Sequence, residues 1–222
     1  MNSHTLAAAL HAAGAVVKAV DLVLTHKTNT VFCNVRPPGH HAEHDAAMGF
    51  CFFNNIAVGV AHALNKYHLK RIAIVDFDVH RGNGTEDIFK HNKKVLICSS
   101  YEFFLYPHHL PQPNADNIIY IPLEPGSTGK EFRAELSLYG MNKLDEFSPE
   151  LIFFSAGFDG HKNDNISNLK LTESDYYWVT QQVKEIADRH CQGRIISVLE
   201  GGYALDVLGE CVLSHLKGLS EE

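Results

Sequence analysis

The chain is poor in basic residues: 19 lysines and arginines, scattered and outnumbered by 26 acidic residues, leave a formal charge of -7. Affinity for a phosphate backbone comes from clustered positive charge, so no direct nucleic-acid partner is expected; a cationic substrate suits the balance better. No two of the five cysteines, Cys33, Cys51, Cys98, Cys191 and Cys211, stand in a CxxC spacing. Several lie in apolar runs, where a free thiol behaves as a small hydrophobe, and this usage predicts a reducing, intracellular setting, cytoplasmic with the nucleus left open. A membrane span is not expected either. Residues 6 to 24 are apolar, but His11, Lys18 and Asp21 interrupt them, and no basic region precedes a cleavage site, so a buried helix is predicted. Internal repeats, low-complexity tracts and Pro/Gly/Ser linkers are also lacking. Residues 1 to 222 therefore read as one domain, and a hydrophobic content of 45% suffices for one sizeable core.

What is present is a series of apolar runs rich in Val, Ile and Phe: 30 to 35, 71 to 77, 94 to 100, 117 to 123, 150 to 157 and 194 to 202. Their continuous apolarity marks strands covered on both faces. Helices are predicted over about 4 to 23, 54 to 68, 84 to 92, 130 to 146, 172 to 190 and 204 to 218, with Thr172, Glu173 and Asp175 supplying a cap and first-turn negative charge. Strand and helix alternating in this way give an α/β fold with an open, mainly parallel sheet and helices on both faces. The Pro-bearing stretch 105 to 117 reads as a surface loop near a site.

In such sheets ligands bind beyond the carboxyl ends of the strands, so polar residues that appear as an apolar run stops are informative. One run, "RIAIVDFDVHRGNG", ends in Asp76, Asp78 and His80. The i, i+2 spacing points Asp78 and His80 to the same side if the extended conformation persists. Another ends in Asp159 and a third in Tyr203, while the first strand leads through a Pro-Pro-Gly turn into His40 and His41. Two carboxylates and an imidazole suit Zn²⁺, or Fe²⁺, with a coordination position left open for water. Taken singly, each ending has an ordinary explanation: a DxH that caps a strand, a His pair in a loop, an Asp that caps a turn, a buried Tyr. Their occurrence in one sheet, whose topology gathers them at one edge, is what points to a site.

The segments "RPPGHHAEHDAAMGFCFFNN", "VDFDVHRGNGTEDIF", "SAGFDGHKND" and "LEGGY", in this order, resemble the histone deacetylase superfamily, most closely its class II branch and the bacterial histone deacetylase-like and acetylpolyamine amidohydrolases. The resemblance covers about residues 4 to 218. It implies an arginase/deacetylase-like fold, and a zinc ion bound by Asp78, His80 and Asp159. It also implies His40 and His41 as a general acid/base pair, and Tyr203 as hydrogen-bond donor to the transition state. Asp76 matches the residue that orients the first histidine and Asn83 the partner of the second, an Asn being the class II pattern. Phe50 and Tyr106 match the walls of the acyl-lysine channel, Tyr106 standing where Phe is common, and Gly201 matches the backbone beside the substrate linker. A structural potassium ion at Asp76, Asp78, His80, Ser99 and Ser100 is implied as well.

By the same resemblance, a first strand, further helices and a rim loop would precede the matching region. A shortened domain would leave a sheet edge and an apolar flank uncovered, which favours a homo-oligomer or weak activity. The expected function is hydrolysis of an N-acetyl amide on a lysine or polyamine-type amine, with a non-catalytic protein that keeps the pocket as the alternative. The related two-metal ureohydrolases need a DxHxD pattern, and Gly82 occupies the place of its last carboxylate.

Overall fold

The structure, a computed structural model, describes residues 1–108 and 115–220. Six strands, β1 (Thr30–Cys33), β2 (Ile72–Asp76), β3 (Val95–Glu102), β4 (Ile118–Leu123), β5 (Leu151–Ala156) and β6 (Ile195–Leu199), form one sheet in the order β1-β6-β5-β2-β3-β4. Every neighbouring pair is parallel.

The uniform apolarity of the central strands follows from burial on both faces. Ile72 and Ile74 of β2 join Phe153 and Val198 in one cluster, while the alternate residues Ala73 and Val75 join Ile152 and Phe154 in the other. The first face is covered by α1 (Thr5–Leu24), α2 (Asn55–Lys66) and α3 (Asn83–Phe89). The second is covered by α4 (Gly129–Glu135), a π-helical turn (Leu136–Met141), α5 (Asn142–Phe147), α6 (Glu173–Cys191) and α7 (Leu205–Ser220). The helix expected over 130 to 146 is thus one helical run loosened in its middle. At the start of α6 the Asp175 carboxylate accepts from the backbone N–H and the hydroxyl of Thr172, so two of the three residues expected to form this cap do so together. All five cysteines are buried and unpaired.

Helix α1 is only partly the buried helix expected. Ala9, Ala12, Val16, Ala19, Val20 and Val23 are buried, but Leu6 and Leu10 are exposed. By length and composition alone it is apolar enough to cross a membrane.

Several strands stop earlier than their apolar runs. β1 ends at Cys33, β5 at Ala156 and β6 at Leu199. β2 ends at Asp76, and the extended conformation does not persist through Asp78 and His80. The reason is local: the Asp78 N–H donates to Asp76 Oδ1 at 3.1 Å and the His80 N–H to Asp78 Oδ1 at 2.8 Å, so side chains replace the ladder partners and the chain bends. Of the loop expected at 105 to 117, residues 109 to 114 lie outside the described residues.

Candidate active site

Because β2 lies beside β5, and β5 beside β6, the segments that follow these strands meet at one edge of the sheet. Asp78 and His80 come from the first, Asp159 from the second, Gly201 and Tyr203 from the third. One donor atom from each of Asp78, His80 and Asp159 lies within 4.8 Å of the others. His80 Nδ1 is 3.0 Å from Asp78 Oδ1 and 3.1 Å from Asp159 Oδ2. Each carboxylate is held from behind by backbone: the Gly201 N–H donates to Asp78 Oδ2 at 2.8 Å, and the Val79 N–H to Asp159 Oδ1 at 3.0 Å.

The set fits a divalent cation. Asp78 and Asp159 are both buried, and among the described residues Asp159 Oδ2 has the 3.1 Å contact with His80 but no well-aligned hydrogen bond. Burial and the adjacent Asp78 charge push the Asp159 carboxyl up to about 6. Burial disfavours a charge on His80, but its contacts with Asp159 and Asp78 prevail and hold its pKa at about 10. Both shifts have one origin: two buried carboxylates that cannot comfortably both be ionised without positive charge between them. Gly201 completes the cradle, since a Cβ there would run into the carboxylate of Asp159 and press on that of Asp78.

Behind this cluster His40 is buried with Nδ1 3.1 Å from Asp76 Oδ2 and Nε2 3.7 Å from Asp78 Oδ1. Burial opposes a charge on the ring, yet Asp78 and Asp76 outweigh it and raise its pKa well above the ordinary value. His41, its ring centroid 4.0 Å from that of His40 and tilted 43° to it, meets Asn83 Oδ1 at 2.7 Å through Nδ1. Burial, together with the charge on His40, lowers its pKa to about 2, so it is the neutral member of the pair.

Of these groups His40, His41, His80 and Gly201 line a cavity of about 550 Å³. Its walls include Phe50, Tyr106 and Tyr203, and the Tyr106 ring stands edge-on to His41 with centroids 4.9 Å apart. Burial and the negative charges of Asp78 and Asp159 raise the Tyr203 pKa above its ordinary value, which keeps the phenol a donor. Residues 1–219 match the histone deacetylase domain family.

The chain belongs to that family. It is 39% identical to the type-2 histone deacetylase 2 of Dictyostelium discoideum over all of this chain and 14% of that protein, and 38% identical to the mouse polyamine deacetylase HDAC10 over 94% of this chain and 32% of that protein. Among solved structures, the HDA15 HD domain superposes with a TM-score of 0.91 at 32% identity, covering 98% of this chain and 63% of that one. The chain therefore spans a fraction of the length of these curated relatives.

Within this deacetylase domain the structure brings together Asp76, Asp78, His80, Asp159, His40, His41, Asn83, Gly201, Tyr203, Tyr106 and Phe50, the last 74% exposed at the rim. Ser99 and Ser100 lie on β3 beside Asp76: the Ser100 hydroxyl donates to the Asp76 carbonyl at 3.4 Å, and the Ser99 hydroxyl is buried without a partner. Three supporting carboxylates escaped the sequence reading. Glu200 Oε2 accepts from the N–H groups of Gly39 and His40 at 2.6 and 3.1 Å, fixing the histidine turn. Asp164 Oδ2 accepts from the N–H groups of Tyr203 and Ala204 at 2.7 and 3.0 Å. Glu43 reaches Asn83. All three sit inside the motif segments, and the burial of Glu200 and Asp164 at 0% and 4% exposure is a signal the sequence does not carry. Ile166, on the cavity wall, carried no signal at all.

Proposed function

We propose that this domain is a metal-dependent amide hydrolase that removes an acetyl group from the amine of a lysine or a polyamine. The observation that carries the reading is the convergence of Asp78, His80 and Asp159 in one cluster, whose His80 lines the same cavity as His40, His41 and Tyr203. Asp78, His80 and Asp159 would hold the ion, with zinc favoured by the mixed imidazole and carboxylate donors and Fe²⁺ the other fit. Such an ion, when bound, supplies Lewis-acid polarisation of the amide carbonyl and lowers the pKa of a water.

The chain's own groups do the rest. Neutral His41, with Nδ1 engaged by Asn83, accepts the proton of the attacking water at Nε2. The leaving amine takes a proton from the histidine pair, whose first member is steadied by Asp76. Tyr203 donates its hydroxyl hydrogen to the oxygen of the tetrahedral intermediate, where a donor matters most because charge develops there. The aromatic walls Phe50 and Tyr106 exclude water from the narrow chain that links the acetamide to the rest of the substrate. A monovalent cation, potassium by preference, would sit behind the site at Asp76, Asp78, His80, Ser99 and Ser100; the unpartnered Ser99 hydroxyl supports this.

The experiment is acetate release from acetyl-lysine peptides and from acetylspermidine, with and without a chelator. Turnover that a chelator abolishes and zinc restores is expected, and the ratio of the two substrates assigns the class. Turnover indifferent to chelation rules the reading out.

A further inference from the structure

The amide of Asn83 has two chemically opposite ends, and which end faces His41 decides where that ring carries its hydrogen. The carbonyl Oδ1 lies 2.7 Å from His41 Nδ1. On the other side Asn83 Nδ2 lies 2.7 Å from Glu43 Oε1, and its remaining contacts, the His41 carbonyl and the Met48 sulfur, are both at 3.5 Å. Among the described residues Glu43 is thus the one close partner of the NH₂ group. It is well placed for this, because its own N–H donates to the Ala46 carbonyl at 2.9 Å and closes the turn that follows the histidine pair.

We infer that Glu43 is a positioning residue for the general base: by holding the Asn83 amide in one orientation it fixes the hydrogen of His41 on Nδ1 and leaves Nε2 bare. The chemistry admits no other arrangement. An ionised carboxylate only accepts, so it must face the NH₂ end; the carbonyl end then faces Nδ1, and a carbonyl also only accepts, so Nδ1 must be the donor. With the amide reversed, its NH₂ would point at Nδ1, the ring hydrogen would move to Nε2, and the lone pair that takes the water's proton would be gone. The pairing also explains why residue 83 is Asn here. An Asp in its place would set two carboxylates 2.7 Å apart across the Glu43 contact, an arrangement that costs free energy unless one keeps a proton. Glu43 and Asn83 are a matched pair, and the negative charge lies one residue further from the imidazole.

This inference rests on the function proposed above, and its test separates the two. In the zinc-loaded protein, long-range ¹H–¹⁵N spectra of the His41 ring, assigned against a His41→Ala protein, read the tautomer without turnover. The Nδ1–H form is expected for the parent and for Glu43→Gln, whose Oε1 still accepts, and a shift towards Nε2–H for Glu43→Ala. An unchanged tautomer in Glu43→Ala overturns the inference whether or not the parent hydrolyses anything. In kinetics, Glu43→Ala should lower kcat about 10- to 100-fold, the usual range for removing an outer partner of a site histidine, with KM within about twofold. The second arm keeps the contact filled. Asn83→Asp should lose activity on its own and recover at least tenfold when Glu43→Gln is added, because the Gln NH₂ then donates to the new carboxylate. Losses that add instead of reversing would overturn the inference, since two groups whose contact carries the effect cannot act independently.

Discussion

His215, buried at 0% exposure, makes the protein's stability depend on pH in a way that can be calculated. Its ring is fully buried among Phe32, Phe77, Phe154 and Phe158, with centroids 5.2 to 5.9 Å away. The Thr180 hydroxyl donates to the Tyr176 carbonyl at 2.6 Å, so it must accept from His215 Nδ1 at 2.6 Å; Nε2 is then the acceptor for Ser197 Oγ at 2.7 Å. The neutral ring is completely satisfied, and burial lowers its pKa from 6.5 to about 3. The folded protein takes up the proton only near pH 3 and the unfolded chain already near 6.5, so between these values the unfolded state carries one proton more. Stability is therefore full above about pH 6.5 and declines as the pH falls through the window, by about 1.4 kcal/mol per unit. From pH 7.5 to 5.0 this single group should cost about 2 kcal/mol. Urea unfolding of the parent and of His215→Gln at both pH values isolates it, because every other titrating group is common to the two proteins. Gln supplies a donor and an acceptor but does not titrate, so the variant is less stable at pH 7.5, and the gap should close by about 2 kcal/mol at pH 5.0. A gap that stays constant with pH would refute the reasoning.

Replacing Tyr203 by Phe removes one donor to the developing oxyanion and should lower kcat by about 10²- to 10³-fold, while metal content measured by atomic emission stays that of the parent. Asp164→Ala leaves the partly buried N–H groups of Tyr203 and Ala204 without their acceptor. About 1–3 kcal/mol of stability should be lost in urea titrations, together with activity, as Tyr203 is no longer held. Gly201→Ala drives a methyl group into the Asp159 and Asp78 carboxylates, so it should weaken zinc affinity by at least tenfold in a competitive chelator titration.

The sheet was legible because burial on both faces writes a continuous apolar run, and the strands of Ile72–Asp76, Leu151–Ala156 and Ile195–Leu199 all announce themselves in this way. Their ends were legible only approximately. At Asp76 hydrophobicity continues through Phe77 and Val79, which are core residues, while the backbone has already turned under the pull of aspartate side chains. Periodicity does not register such local competition. Asp78, His80 and Asp159 stood out because they are carboxylates and an imidazole that appear just as an apolar run stops; Glu200, although inside the run 194 to 202, Asp164 and Glu43 did not, because their importance lies in which backbone or amide hydrogens they accept, and that depends on segments as distant in sequence as Gly39 and Glu200. The π-helical turn at Leu136–Met141 left no mark on the apolar pattern of its helix.

The central claim is that Asp78, His80 and Asp159 grip one divalent ion and that hydrolysis depends on it. Metal content and acetate release measured on the same preparation of the parent and of Asp159→Asn test this most directly. The account requires one divalent ion per chain and chelator-sensitive turnover in the parent, with both lost in the variant. Hydrolysis by metal-free protein, or undiminished metal binding and turnover in Asp159→Asn, would contradict it.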